Sequence, residues 1–522
     1  MDSSIKQIVI IGGGTAGWLT AAILAKEHMS YDINGVQITL IESPDVPSVG
    51  VGEGTWPTMR SSLESVGISE YEFIAFCEAS FKQGSEFVNW QTDKSTAQNN
   101  RYFHPFVAPE GHGQCDLHQF WKSNSTKVTF ADFLSYQPHL CHKNLAPKQI
   151  QTPEYAAVAN YGYHLNAGKF AQLLKQHATT NLGVKFISDH VSHAVNDDNG
   201  FIDYVVTNVN GDIKADLFVD CSGSRALLLG QHYGVEIVKQ KHILFNDRAI
   251  VTQVPYFADS APIKSHTIST ATDFGWIWDI GLSSRRGMGH VYSSEFCSDE
   301  QAESILQEHI RQELDSKTTG ELQFKKLEFE PGYREKFWHK NCVAIGMASG
   351  FIEPLEASAL ALVELSAKML AKELPSHRDI MELAAQRFNT RFHYRWQRII
   401  EFLKLHYVLS NRTSPYWQAN RNERSIPQRL QQLLKLWKYQ PPSYNDFTEI
   451  EEIFPSASYQ YILYGMGFNT QKSSTSSKYN DLKIAQELYE KNLRIITKYQ
   501  SGLPTNRQLI NSIKQVVSAN KN

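Results

Sequence analysis

Residues 5–11 (IKQIVII) form an unbroken, largely β-branched run, and the later stretch WLTAAILAKEH (18–28) places its apolar side chains at helical spacing. Between them stands Gly12-Gly13-Gly14-Thr15-Ala16-Gly17, so the chain opens as strand, tight turn and helix. A second apolar strand, VQITLIE (36–42), ends in Glu42, and a third, LFVDCSG (217–223), runs into another small-residue turn. Together they predict a βαβ core interrupted by long excursions. The excursion from about 70 to 160 is rich in aromatics and histidine, and the stretch from about 240 to 300 alternates as sheet does; neither has the composition of a linker. Beyond about 355 the apolar period turns helical, in ASALALVELSAKMLAKEL, RDIMELAAQRFNTRFHYRWQRIIEFLKLHYVL, RLQQLLKLWKY and KYNDLKIAQELYEKNLRIITKYQ. The low-complexity patch TQKSSTSSK (470–478) reads as a solvated loop before the last helices, and no internal repeat is visible.

A length of 522 residues accommodates two or three domain-sized cores, or one cofactor-binding unit with insertions. A formal charge of −3 provides no field to gather nucleic acid or an anionic membrane, which leaves a small molecule as the expected substrate. The six cysteines are scattered without a CxxC pair, so reduced, mostly buried thiols are expected. The first apolar run is broken by glycines and lacks a small-residue cleavage site, which makes it a strand rather than a signal peptide; a cytoplasmic protein is expected. No run of about 18 apolar residues is present to span a bilayer. His112, His118, His139 and His142, with Cys115 and Cys141, lack the paired spacing of a zinc site, so no metal is expected.

Gly12-x-Gly14-x-x-Gly17 has the spacing of a dinucleotide-binding turn. The first glycine permits the tight turn, the second lets backbone approach a pyrophosphate, and the third lets helix pack on sheet. Glu42 is placed to accept a hydrogen bond from a ribose hydroxyl. The spacing does not separate FAD from NAD. PSVGVGEGTWPT (47–58) and DCSGSRALL (220–228) favour FAD, because a flavoprotein needs several backbone contacts along a long cofactor. In GWIWDIG (275–281), Trp276 and Trp278 stand on alternate residues, which places them on one face of a strand, filling core.

Taken together, GGGTAGW, VGVGEGT, FKQGSEFVNW (81–90), GWIWDIG and NCVAIGMASGFIEPLEAS (341–358) resemble the flavin-dependent tryptophan halogenase family, in family order. Weaker likeness, in FHPF and YQYILYGMG, extends the resemblance to about 467. The resemblance implies an α/β, FAD-binding Rossmann-like fold of the flavin monooxygenase type, with a mixed substrate region and a helical C-terminal part. The boundaries that follow are an FAD-binding module over 1–370, with inserted segments at about 70–160 and 240–330, and helices over 371–522 completing the substrate site.

In such enzymes FADH2, supplied by a separate NAD(P)H-dependent flavin reductase, reacts with molecular oxygen, and chloride or bromide becomes hypohalous acid. That oxidant passes through a tunnel to a lysine beside a small aromatic substrate. Carried over by motif, the lysine is Lys82 and its carboxylate partner Glu356. Gly12, Gly14, Thr15, Ala16, Gly17, Glu42, Val51, Gly346 and Leu355 would line the FAD, Ser358 and Ala359 the halide, and Trp276 and Trp278 the tunnel. His104, Phe106 and Phe454 would wall the substrate, and a homodimer is compatible with the resemblance.

The physical chemistry of these residues agrees. A desolvated lysine amine can carry or orient an electrophilic halogen that would react indiscriminately in water. A glutamate can polarise that species or take the proton from the arenium intermediate. Read by themselves, the same residues are also a snorkelling lysine, a helix-N-terminal acid and an aromatic core cluster.

Three departures from the family stand out. Glu356-Ala357-Ser358-Ala359 replaces Glu-Ser-Thr-Gly, which keeps a hydroxyl at Ser358 and keeps the N–H of Ala359 where no positive φ is needed. Gly281 replaces a proline, a ring lost from the turn that is expected to loosen the local backbone. The segment that grips free tryptophan through Phe-Trp and a Tyr-Tyr pair reads EIEEIFPSASYQY, with Phe454 at the tryptophan position and Tyr459-Gln460 at the pair. Loss of a polar grip favours a simpler indole, an indole within a larger molecule, or a phenol or pyrrole. A flavin hydroxylase using NAD(P)H directly, and a flavin-binding protein without halogenase turnover, remain the alternatives.

Overall fold

The computed structural model describes residues 4–45, 52–93, 100–124, 127–314, 316–471 and 479–520. Val51 and residues 472–478 of the expected solvated loop lie outside the described residues. The chain divides into two compact units. The first comprises Met1–Ala79, Leu165–Gln240 and Glu330–Trp396; the second comprises Ser80–His164, Lys241–Phe329 and Gln397–Asn522.

The first unit is built on a six-stranded sheet in the order Trp338–His339, Cys342–Ala344, Leu217–Asp220, Gln7–Ile11, Gln37–Glu42 and Lys185–Ser188. All neighbours run parallel except the antiparallel edge strand Trp338–His339. Ile8 stands opposite Leu217 and Ile38, so strands far apart in sequence meet at the centre. Val9, Ile11, Ile41 and Phe218 pack with Leu228, Leu229 and Cys342 in one buried cluster. The helix Thr15–Glu27 buries every residue from Gly17 to Ala25 and packs against helices Ala167–Asn181 and Ser358–Lys372. This is the strand–turn–helix and crossover pattern read from the sequence, and it delivers the ends of three parallel strands to one edge.

The second unit carries a seven-stranded sheet in the order Lys325–Glu328, Arg248–Pro255, Arg285–Tyr292, Gly275–Gly281, Thr267–Ala271, Gly84–Val88 and Arg101–Pro105. One face, with Ile250, Ile277 and Met288, is covered by Leu306 and Ile310 of the helix Asp299–Arg311. On the other face the register aligns Trp278, Ser269, Phe87 and Tyr102 in one row across four strands, with Thr267, Ser85 and His104 in the next. His406 and Trp417, from the C-terminal helices, lie against this face. His406 is 4.6 Å from Phe87 between ring centroids, and Trp90 packs on both Trp276 and Trp417 at 6.4 and 5.3 Å. All six cysteines are free, five of them buried and Cys115 half-buried. Among the described residues no helix is long and apolar enough to cross a membrane.

Candidate active site

In the first unit the glycine turn has the geometry that a pyrophosphate requires. Gly12 sits at φ +114°, where a β-carbon would collide with the Cys221 carbonyl at 2.2 Å, and one at Gly17 would meet the Gly12 carbonyl at 1.8 Å. A β-carbon at Gly14, by contrast, meets nothing within 4 Å, so the turn opens outward at that residue. The helix that follows has no side-chain cap and no acid in its first turn, which leaves its first N–H groups and positive dipole end for an anion. Thr15 donates to the Ala167 carbonyl, and Gly346, at φ +73°, lies so near Ala16 that a β-carbon there would approach it to 2.7 Å. Glu42 reaches over Gly13 and is ion-paired to Lys175 at 2.6 Å. These residues fit the phosphates and ribose of FAD.

The sequence around residue 356 closes as a turn. Ala357 N–H donates to the Pro354 carbonyl at 3.0 Å, and Ala357 itself is left-handed at φ 54°, ψ 42°. The helix Ser358–Lys372 follows, again without a side-chain cap or an acid in its first turn. Positive φ therefore falls at Ala357, and Ala359 lies within the helix, where alanine keeps its N–H at no backbone cost. Leu355, Glu356 and Ser358 are buried. The Trp56 indole N–H donates to the Glu356 carbonyl at 2.7 Å. Deeper on the same helix, Glu364 accepts hydrogen bonds from Thr58 and Ser62, and burial pushes its carboxyl up to about 7.

In the second unit Lys82 ends the short strand Ser80–Lys82, paired antiparallel with Gly162–Leu165. It is 1% exposed, and its ammonium lies 5.4 Å from the centroid of Phe106. Its neighbour Gln83 is fixed at both ends: its N–H donates to Ser265, its carbonyl accepts from Phe106, and its side-chain amide donates to Leu145. His164 shares a 2.8 Å hydrogen bond with Thr267, and burial, followed by the Lys82 charge, holds its pKa well below the usual imidazole range. Lys82 thus lies among an aromatic ring and a neutral imidazole.

His104 shares a 2.9 Å hydrogen bond with Ser458 and lies 5.7 Å from Phe402 and 6.5 Å from Phe454 between ring centroids. Phe402 and Phe454 are stacked at 3.8 Å, 15° from parallel. Tyr459 packs edge-on against Phe402 at 4.9 Å and also meets Trp437 and Phe447, and Gln460 donates to the Pro442 carbonyl. Trp276 and Trp278 are both buried on the sheet face that carries His104, their rings 6.2 Å apart.

Neighbouring groups hold Gly281, where a looser backbone is expected. The residue stays in the strand opposite Arg286, its carbonyl accepts from Ser80 at 2.5 Å, and Tyr256 donates to the adjacent Leu282 carbonyl at 2.8 Å. The Tyr256 hydroxyl stands only 3.1 Å from where a β-carbon at Gly281 would be, so a tyrosine occupies the space that the family's ring would claim.

Residues 7–481 match the family model described as tryptophan halogenase. The chain belongs to the tryptophan halogenase family. It is 32% identical to tryptophan 6-halogenase SttH of Streptomyces toxytricini, over 88% of this chain and 89% of that protein. It is 33% identical to tryptophan 7-halogenase RebH of Lentzea aerocolonigenes, over 81% and 80% respectively. It also superposes on the crystal structure of a tryptophan halogenase from Shewanella frigidimarina NCIMB 400, with a TM-score of 0.94 and 48% identity over 98% of each chain. Halogenases of this family use FADH2, oxygen and halide, which agrees with the glycine turn and the uncapped helices described above.

Several residues beside these positions carry little signal of their own in the sequence. Trp56 lies inside VGEGTWPT among glycines, and Phe402 is one apolar position among many in a long helix. Gly289, which faces Trp278, had a legible signal: a glycine inside a strand marks close approach of another group.

Proposed function

We propose that this protein is an FADH2- and oxygen-dependent halogenase that places chlorine or bromine on an electron-rich aromatic, an indole or tryptophan-related compound. The observation that carries this reading beyond family membership is Lys82, a buried ammonium set 5.4 Å from an aromatic ring rather than at the surface. When bound, the reduced flavin with oxygen supplies the oxidising equivalents that turn halide into an electrophilic halogen. A separate NAD(P)H-dependent flavin reductase delivers it, in the cytoplasm.

Halide is held at the turn before Ser358, where the N–H groups of Ser358 and Ala359 are available at the start of an uncapped helix. Lys82 carries or orients the oxidised halogen as a hydrogen-bond donor or nucleophilic amine, at a ring position set by its fixed backbone. Glu356 assists electrophilic attack and accepts the proton lost from the ring. Trp276 and Trp278, both buried, supply bulk that excludes an organic substrate and favours halide. His104, Phe106 and Phe454 bracket a planar ring; Phe402 stacks on Phe454, and Ser458 shares a hydrogen bond with His104.

The test supplies enzymatically or photochemically reduced FAD, bromide or chloride, and a panel of indoles, and reads products by mass. Halogenated indole with wild type and none with Lys82→Ala is the expected result. Oxygenated product without a halide requirement would favour a hydroxylase instead.

A further inference from the structure

We propose that Trp56 is a positioning residue for the halide-binding turn, acting through the Glu356 carbonyl. The proposal rests on the reading that this turn binds halide. The peptide joining Glu356 to Ala357 precedes a left-handed alanine, a conformation that a residue with a β-carbon adopts only when something else holds it. The helix beyond has no side-chain cap to fix its entry. The indole N–H of Trp56 at 2.7 Å holds the carbonyl oxygen of that peptide and so resists its rotation. Rotation would redirect both the Glu356 side chain and the N–H groups of Ser358 and Ala359.

Trp56 is well placed for this role because its own support is rigid. It lies between the strand Glu53–Gly54 and the helix Thr58–Val66, which is fastened to the helix Ser358–Lys372 at two further points. Thr58 and Ser62 donate to Glu364, and Lys368 donates to Ser61 at 3.2 Å. The indole thus stands at a fixed distance from the start of the helix that it adjusts. The Trp56 side chain is only partly buried, so filling core is not its principal task.

The decisive variant is Trp56→Phe, which keeps a ring and removes the donor; Trp56→His keeps a ring N–H. Halide binding is read without turnover, as the bromide-dependent change in the visible spectrum of the FAD-loaded protein, alongside KM for bromide, the Kd for FAD and thermal unfolding. Loss of one hydrogen bond to a strained turn raises the half-saturating bromide by about tenfold. The Kd for FAD and Tm stay near wild type, and Trp56→His recovers part of the loss. Wild-type bromide affinity in Trp56→Phe would overturn the proposal, as would losses of FAD affinity and Tm in step with bromide affinity. If wild type itself gives no bromide-dependent spectrum, the halide-turn reading fails and this proposal with it. A wild-type response left intact in Trp56→Phe removes the role of Trp56 alone.

Discussion

The indole of Trp278 lies across Gly289, its partner on the neighbouring antiparallel strand: a β-carbon at residue 289 would stand 2.3 Å from two ring carbons. No rotation of a methyl group relieves such an overlap, so the absence of a side chain at 289 sets the attitude of Trp278. Gly289→Ala is expected to displace the ring at a cost of about 1–3 kcal/mol, the range for overpacking a dense interior. A lower Tm together with altered near-UV circular dichroism is the expected pair of readings. An unchanged near-UV spectrum would mean that Trp278 does not depend on this glycine.

Lys82 combines burial with an aromatic neighbour and a neutral histidine, which suits a group that handles an electrophile away from water. Lys82→Ala is expected to lower kcat/KM for bromination of indole by at least about a thousandfold, consistent with loss of covalent or positioned general catalysis. Flavin affinity should hold, because no residue of the glycine turn is altered. Bromination at wild-type rate would dismiss the catalytic role.

Glu364 links stability to pH. Its folded-state pKa, about 7, lies above the ordinary 4.5, so the folded protein holds this proton more tightly than the unfolded chain. Its contribution is complete below about pH 4.5 and is lost as the pH climbs to about 7. The groups facing it are the Thr58 and Ser62 hydroxyls and Lys368 at 3.9 Å. Glu364→Gln should match wild type at pH 5 and exceed it at pH 8 by on the order of 2 kcal/mol. Denaturant unfolding at the two pH values measures this directly. Glu53, which burial pushes to about 7, acts in the same window, so the single variant flattens the pH profile only in part.

The resemblance sets Phe454 where tryptophan-specific members carry a tryptophan, and its ring is stacked on Phe402 at 3.8 Å. Restoring the larger ring with Phe454→Trp should therefore cost about 1–3 kcal/mol through overpacking. It should not raise kcat/KM for free tryptophan relative to indole, because Tyr459 is packed among Phe402, Trp437 and Phe447 and the Gln460 amide donates to the Pro442 carbonyl. A gain in tryptophan preference would show that residue 454 alone sets the amino-acid grip.

Local chemistry explains what could be read without coordinates. The strand Gln7–Ile11, the uncapped helix from Thr15 and the strands ending at Glu42 and Asp220 follow from β-branched runs and glycine turns. The helix Asn506–Ala519 falls within the helical C-terminal part expected over 371–522, and Thr505 and Gln508 form the capping box that starts it. The helix Ser456–Gly465 offered no such cue. Its residues from Ser456 to Tyr464 are buried on every side, so its apolar positions show no period.

Glycine spacing, a lysine and paired tryptophans are local properties, so the chain alone points to residues chemically suited to hold a nucleotide, carry a halogen and wall an aromatic ring. Which backbone positions bear strain, and which side chains support the others, follows from the folded chain. Ala357, not Ala359, took the left-handed bend; Tyr256 filled the place of a missing proline; and Trp56 came to the Glu356 carbonyl across 300 residues of chain. Such pairings arise from strand register and helix packing between distant segments, and no period or spacing along the chain encodes them.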